Sequence, residues 1–148
     1  YNFGAKLYKR VNEVLKKSII LATGVTTFGF LVVYFFPEAI AAMFTSDSEL
    51  IALSRNGLHI VFLTYPIIGF QMVTANFFQS IGMVGKAIFM SLSRQLLFLL
   101  PCLLILPKYW GIDGIWYSMP VADLISSIVA AILLIYQFRQ FRMKESES

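Results

Sequence analysis

The sequence predicts an all-α, polytopic transmembrane helical bundle with four spans, and its composition and four long apolar stretches carry that prediction. Of its 148 residues, 58% are hydrophobic and only 14% are charged, and the mean hydropathy is +0.75. Soluble chains carry roughly 25% charged residues, and so few charges could not solvate a folded surface. Each apolar stretch reaches the length of about 20 residues that a helix needs to cross a hydrocarbon core of about 30 Å. A membrane protein is therefore expected, and a disordered or collagen-like chain is excluded.

The elements follow from the hydropathy in chain order. A basic segment precedes the first span, and a loop with a short interfacial helix follows that span, because Ser46 and Glu49 have the spacing of a capping box. Glycine and proline mark the two tight connections that follow. The predicted units are a cytoplasmic segment at 1–17, spans at 18–36, 57–83, 87–106 and 114–138, an extracytoplasmic loop at 37–56, and a cytoplasmic tail at 139–148.

The basic residues predict the orientation of the bundle. All Lys and Arg residues except Arg55 and Lys108 lie on one side of the predicted spans. Basic residues are retained on the cytoplasmic side of short loops, so we expect a multi-pass protein of the inner (plasma) membrane with both ends of this segment cytoplasmic. The net charge of +4 then reports topology, and no nucleic-acid partner is expected. The aromatic residues Tyr109, Trp110, Trp116 and Tyr117 mark the opposite surface.

Catalytic and metal-binding signatures are not expected from this sequence. The single Cys102 cannot form an intramolecular disulfide, and the single His59 cannot complete a zinc site with it. The sequence has neither a phosphate-binding loop nor a nucleophile with a matching base. We therefore expect no enzyme, no cofactor and no resident metal.

Two ionisable residues lie inside predicted spans, where charge is costly and usually faces the bundle interior. Asp123 lies roughly 13 Å below the outer surface, near the midplane, and Ser126 and Ser127 share its helix face. Arg94 lies roughly 10 Å from the cytoplasmic surface, from which it can snorkel outward or pair with Asp123. An unpaired Asp123 could exchange a proton, whereas a carboxylate paired to a permanent cation would stay ionised. The residues themselves leave both roles open.

The second span carries a polar stripe at helical spacing. Lipid would leave its amides without partners, so we expect the stripe to face inward, as a substrate path for organic cations or as a packing surface between helices. The stripe consists of Tyr65, Gly69, Met72, Asn76 and Gln79, and Gln71 lies on the neighbouring stripe. Pro66, Pro101 and Pro120 each remove a backbone hydrogen bond in or near a span and are candidate hinges.

Short patterns spread over nearly the whole chain lead to one family. They are Tyr1-Asn2-Phe3-Gly4-Ala5-Lys6, Phe36-Pro37-Glu38, Asp47-Ser48-Glu49-Leu50-Ile51, Phe77-Phe78-Gln79-Ser80-Ile81-Gly82, Ser93-Arg94-Gln95, Gly111-Ile112-Asp113-Gly114-Ile115-Trp116 and Pro120-Val121-Ala122-Asp123. In order and spacing they resemble the C-terminal part of the multidrug and toxic compound extrusion (MATE) transporters. The resemblance implies helices nine to twelve of a twelve-helix fold.

The resemblance also implies a function. Family members resemble antiporters that expel organic cations and other xenobiotics in exchange for H⁺ or Na⁺, by rocking of two lobes around a central cavity. Some branches bind the coupling ion with an acidic residue in the tenth helix, but the second span here has no Asp or Glu. The expected partners are the lipid bilayer, the N-terminal helices of the same protein and small organic cations. Asp123 matches a family position and is carried over only as a cavity or packing residue.

Of three alternatives, the sequence argues against the first and leaves the other two open. A complete four-helix pump of the small multidrug resistance type would need an acidic residue in its first span, which residues 18–36 lack. A lipid-linked oligosaccharide flippase of the same superfamily would share the fold. In a non-transporting membrane subunit or scaffold, the polar stripes would only pair with partner helices.

Overall fold

The computed structural model describes residues 1–146, so the last two residues of the predicted tail at 139–148 lie outside the described chain. The described residues, 1–146, form helices and no strand, which confirms the all-α prediction. A 3₁₀ turn at Phe62–Thr64 joins the third and fourth helices, and a π-helical segment at Ser93–Leu99 joins the fifth and sixth. The helices are α1 (Tyr8–Phe35), α2 (Pro37–Ala42), α3 (Ser48–Val61), α4 (Tyr65–Ser80), α5 (Val84–Leu92) and α6 (Leu100–Ser146).

Three helical stretches are long and apolar enough to cross a membrane by length and composition. They are Tyr8–Phe35, Ser48–Ser80 and Val84–Lys144, and the third has 61 residues. This third stretch is about three times the length that one crossing needs. A reversal of the chain within it makes two limbs.

The reversal lies at Gly111, where the backbone takes φ 56° and ψ −134° inside α6. An L side chain rarely adopts this conformation, and glycine supplies it without steric cost. Just beyond, Gly114 approaches the backbone carbonyl of Leu106 so closely that a Cβ would not fit. Contacts of Lys86 with Gln137 show that the two limbs, 84–110 and 112–146, run antiparallel.

The loop after α1 differs from the sequence prediction. Asp47 caps α3, with its Oδ1 accepting from the backbone N–H of Glu49 at 2.9 Å, so the capping residue is Asp47 and not Ser46. The helix that starts there is not a separate interfacial helix, because it continues through the 3₁₀ turn into α4. The short helix of this loop is α2, which begins at Pro37, a residue suited to a first helical turn.

The first helix is also longer than the predicted span. It begins at Tyr8 instead of residue 18, so most of the basic segment at 1–17 is helical. Hydropathy detects only the apolar part of a helix. Lys and Arg are good helix formers, so the same helix continues through the basic residues before the apolar part. The basic residues therefore stand on the end of α1.

Helices α1 and α4 cross at a small residue. A Cβ on Gly69 would lie 2.7 Å from the carbonyl oxygen of Ala22 and 2.8 Å from Oγ1 of Thr26. The Thr26 hydroxyl lies 3.3 Å from the carbonyl of Pro66 on the opposite helix. Small residues let helix backbones approach closely in membrane bundles, and Gly69 serves this packing role.

Aromatic rings join the two ends of the chain. Phe3 lies 5.8 Å from the ring of Phe141 on α6, and Tyr8 stacks on the same ring at 5.0 Å. Phe141 is buried, and its neighbours continue into the apolar core around Phe78 and Leu134. This end of the bundle, which the positive-inside count predicts to be cytoplasmic, is therefore a packed surface.

Candidate functional site

The two charged residues that the sequence placed inside spans form an ion pair. Nη2 and Nε of Arg94 lie 2.6 Å and 2.7 Å from the same carboxylate oxygen, Oδ1 of Asp123. The Asp123 side chain is 3% exposed and the Arg94 side chain 32% exposed. Of the two roles left open for Arg94, the structure has it pairing inward. A buried carboxylate held by a guanidinium is a compensated charge.

The second oxygen of Asp123 faces a different element. The hydroxyl of Thr64 lies 3.4 Å from Oδ2, at the end of the 3₁₀ turn. Arg94 lies in the π-helical segment at Ser93–Leu99. Asp123, on α6, therefore contacts both places where the α-helix is interrupted, the π-helical segment and the 3₁₀ turn. Such interruptions are frequent at functional sites and hinges. Thr64 was missed as a partner, although its hydroxyl at a helix end just before Pro66 was the available signal.

Two serines next to Asp123 are buried without a hydrogen-bond partner. Ser126 and Ser127 have hydroxyl oxygens that no described donor or acceptor reaches. Helical serines usually donate to the carbonyl four residues earlier, as Ser118 does to Gly114 at 2.7 Å. Ser126, a candidate for the substrate or ion path on the face of Asp123, is 4% exposed. The polar core of α6 therefore holds a salt bridge and two unsatisfied hydroxyls.

A groove between α4 and the α5 limb brings the other candidates together. One part encloses about 410 Å³ and a second part about 300 Å³, and both are bordered by Ala75 and Ser91. The first part is lined by Tyr65, Gln71, Met72, Arg94 and Gln95, and the second by Asn76 and Gln79, among others. We call these two parts together the polar groove. It contains each second-span candidate for a substrate or ion path.

The predicted stripe of the second span is divided between the core and the surface of the described chain, with Gly69 buried and Tyr65 half-buried. Met72 is 60% exposed, and Asn76 and Gln79 are also exposed, whereas Gln71 is 7% exposed and Thr74 is fully buried. The helix face that packs inward is thus the neighbouring stripe. The side-chain amides of Asn76 and Gln79 line the polar groove and do not lie in the buried core.

The three prolines differ in their surroundings. Pro66 follows the 3₁₀ turn at Phe62–Thr64, and Pro101 follows the π-helical segment at Ser93–Leu99. Pro120 lies in a part of α6 with helical backbone dihedral angles. Pro66 and Pro101 therefore lie beside irregular backbone, and Pro120 does not.

A second polar contact crosses the limbs nearer the chain ends. Nζ of Lys86 donates to Oε1 of Gln137 at 2.8 Å and lies 5.3 Å from the ring of Phe78 and 5.6 Å from that of Tyr136. Gln137 is almost fully buried. Sequence reasoning missed it, although Gln137 lies four turns beyond Asp123 on one helix face.

Among the described residues that line the polar groove, only Arg94 is charged, and its charge is compensated by Asp123. Among residues 1–146, no group of three His, Cys, Asp or Glu side chains could hold a metal ion. What the groove offers is an aromatic ring, a thioether and several amides. Such a surface binds by shape, dispersion and hydrogen bonds.

Apolar helices in antiparallel hairpins, with a buried ion pair and a polar groove between them, define a multi-pass membrane protein. The MatE family model matches residues 1–104, and the chain belongs to this family. The sequence resemblance to MATE proteins is thereby confirmed.

Two solved structures are also similar to this chain. The chain is similar to the MATE multidrug transporter DinF-BH, which was solved as a complex, at 39% sequence identity and a TM-score of 0.86. The match covers 95% of this chain and 31% of that transporter. A second chain, described as protein A, matches with the same values. No curated protein matches the chain.

Proposed function

We propose that this chain is the C-terminal portion of a secondary multidrug exporter, which moves organic cations and other xenobiotics out of the cell in exchange for H⁺ or Na⁺. It would lie in the plasma membrane with both ends of the segment cytoplasmic, as the distribution of Lys and Arg predicts. The observation that carries the proposal is the polar groove in a chain of the MatE family. The likeness to the multidrug transporter DinF-BH supports it.

The lining of the polar groove suits flat, hydrophobic cations. The Tyr65 ring can lie against a charged or aromatic ligand, and the thioether of Met72 adapts to ligands of different shape. Amides at Asn76 and Gln79 add hydrogen bonds without fixing one ligand. Both parts of the groove are in or near the size range of small-molecule sites. Broad selectivity follows from this lining.

The coupling ion is expected to bind outside this chain. The second span offers no Asp or Glu, and the buried Asp123 is occupied by Arg94 and Thr64. An ion that binds Asp123 would have to displace the two guanidinium contacts on one oxygen or the Thr64 hydroxyl on the other. Asp123 is then a positioning residue, which holds Arg94 at the edge of the polar groove.

The complete transport path requires more protein than this chain. The chain spans 31% of DinF-BH, and Met72, Asn76 and Gln79 are exposed along the groove. Further helices of the same protein would cover that opening. Probing membranes of the source cells with an antibody to Lys144–Ser148 tests this: the proposal expects a polypeptide about three times this length, and a band at 16.8 kDa would contradict it.

Transport assays on the intact protein in proteoliposomes test the function. Tyr65→Leu and Asn76→Leu should raise the KM for a fluorescent organic cation about five-fold or more, because each removes a cation or hydrogen-bond contact worth about 1 kcal/mol. Leu63→Ala is the matched control, since Leu63 is exposed beside α4 but does not line the groove. Unchanged transport in both groove variants would exclude the polar groove as the substrate path. No transport by the intact protein would favour a scaffold role, and transport of lipid-linked sugars alone would favour a flippase.

A further inference from the structure

A second concave site lies at the reversal between the two limbs, away from the polar groove. It encloses about 520 Å³ and is lined by Trp110, Asp113, Tyr117 and Val121. We call it the turn pocket. We propose that the turn pocket binds monovalent organic cations through two aromatic walls and one carboxylate.

The backbone conformation of Gly111 assembles the turn pocket. Trp110 ends one limb, and the reversal at φ 56° brings the start of the other limb beside it. Asp113, Tyr117 and Val121 then follow at intervals of four residues, which places them on one helix face. The ring centroids of Trp110 and Tyr117 are 6.1 Å apart, with their planes at 61°. Two rings at this angle form adjoining walls of a corner.

The carboxylate of Asp113 has no basic partner in the described chain. Its Oδ1 accepts from Nδ2 of Asn56 at 3.4 Å, a long hydrogen bond. The ion pairs among the described side chains, residues 1–144, involve Glu38 and Asp123, and neither includes Asp113. A formal negative charge therefore borders the aromatic corner and is available to a ligand.

The surrounding charge favours the same ligands. In the predicted orientation, the extracytoplasmic side carries four carboxylates against the basic residues Arg55 and Lys108. These carboxylates belong to Glu38, Asp47, Glu49 and Asp113. A surface of one net sign concentrates ions of the opposite sign. Cations would be enriched at this end of the bundle.

An organic cation fits this combination better than an anion or a neutral lipid chain. The face of a Trp or Tyr ring attracts a cation, and a nearby carboxylate adds Coulombic attraction at the membrane edge. An interfacial belt accounts for Trp110 and Tyr117. It does not account for the carboxylate of Asp113, which lines the same pocket without a basic partner. The binding of cations by the turn pocket does not depend on the proposed function. A role of the pocket as the release site for exported cations does rest on that function.

Photolabelling locates the ligand. The intact protein in detergent is irradiated with an azido derivative of tetraphenylphosphonium, and labelled peptides are mapped by mass spectrometry. The proposal expects saturable label in the segment 110–121, displaced by unlabelled tetraphenylphosphonium. Asp113→Asn and Trp110→Leu should each lower that label about five-fold or more, with unchanged thermal unfolding.

Tyr109→Leu is the control, because Tyr109 is 77% exposed next to Trp110 and does not line the turn pocket. Label at 110–121 that is absent, unsaturable or equal in Asp113→Asn would overturn the proposal. The transport assay separates the two proposals. Saturable label in a protein that does not transport cations would support the turn pocket and contradict the proposed function. Transport of cations with no label at 110–121 would support the proposed function and contradict the turn pocket.

Discussion

Arg94 and Asp123 meet through two guanidinium nitrogens on one carboxylate oxygen, which leaves the other oxygen to Thr64. The pair spans the two limbs of the long apolar stretch and also reaches the turn between α3 and α4. Three segments thus share one buried carboxylate. Removing either charged partner leaves a charge without compensation, and this makes the pair the most sensitive polar contact in the described core.

Asp123→Leu and Arg94→Met should each destabilise the intact protein by about 2 to 4 kcal/mol, because each isolates one charge of the pair. Thermal unfolding in detergent measures the effect. The double variant should recover part of the loss, since it removes both charges, and the double-mutant cycle gives the coupling. Losses that simply add would show that the pair contributes no interaction energy.

Asp123→Asn separates positioning from ion coupling. The positioning role expects a lower amount of folded protein with efflux retained in each folded molecule, because the amide weakens the hold on Arg94. Efflux per folded molecule, measured under an imposed ion gradient, is the readout. Efflux abolished in a protein that folds normally would instead assign Asp123 to the coupling path.

Gly69→Ala should destabilise the bundle by about 1 to 3 kcal/mol. Its new methyl group would lie 2.7 Å from the carbonyl oxygen of Ala22, so α1 and α4 would have to separate. Gly24→Ala is the matched control, because a Cβ there meets nothing within 4 Å. The unfolding temperatures of the two variants in detergent give the comparison, and equal values would refute close packing at Gly69.

Gly111→Ala should weaken the hairpin of the two limbs by about 1 to 3 kcal/mol, because alanine is strained at φ 56°. Gly85→Ala controls for the loss of a glycine, since Gly85 has neither a positive φ nor a close neighbour. Thermal unfolding of the intact protein in detergent is the measurement. Equal unfolding temperatures for Gly111→Ala and Gly85→Ala would contradict the strain argument.

Lys86→Met should destabilise by about 1 to 3 kcal/mol, because it removes the donor to the buried amide oxygen of Gln137 and a cation above two rings. Lys17→Met serves as its control, because Lys17 is exposed on α1. Unfolding of the purified intact protein is again the measurement. A loss of similar size in both variants would point to a general charge effect at this end of the bundle.

Sequence reasoning reached the fold class because hydropathy and helix length are strong signals in a bilayer. It named a pairing of Asp123 with Arg94 as one of two open roles, since charge inside a span needs a partner, and only the structure has the pair. It could not choose between the stripes of Asn76 and Gln71, because both carry amides and periodicity does not say which face meets which neighbour. The 3₁₀ turn before Tyr65 and the π-helical segment at Arg94 depend on tertiary packing and leave no hydropathy signal.

The contact of Phe3 and Tyr8 with Phe141 bears on how the chain is made. Nearly the whole chain separates these rings in sequence, so their contact encloses every other helix in one long loop. During synthesis Phe3 and Tyr8 emerge before the helices between them and Phe141, and Phe141 emerges after those helices. This end of the bundle therefore closes last, and a chain truncated before Phe141 would leave Phe3 and Tyr8 without the ring on which they pack.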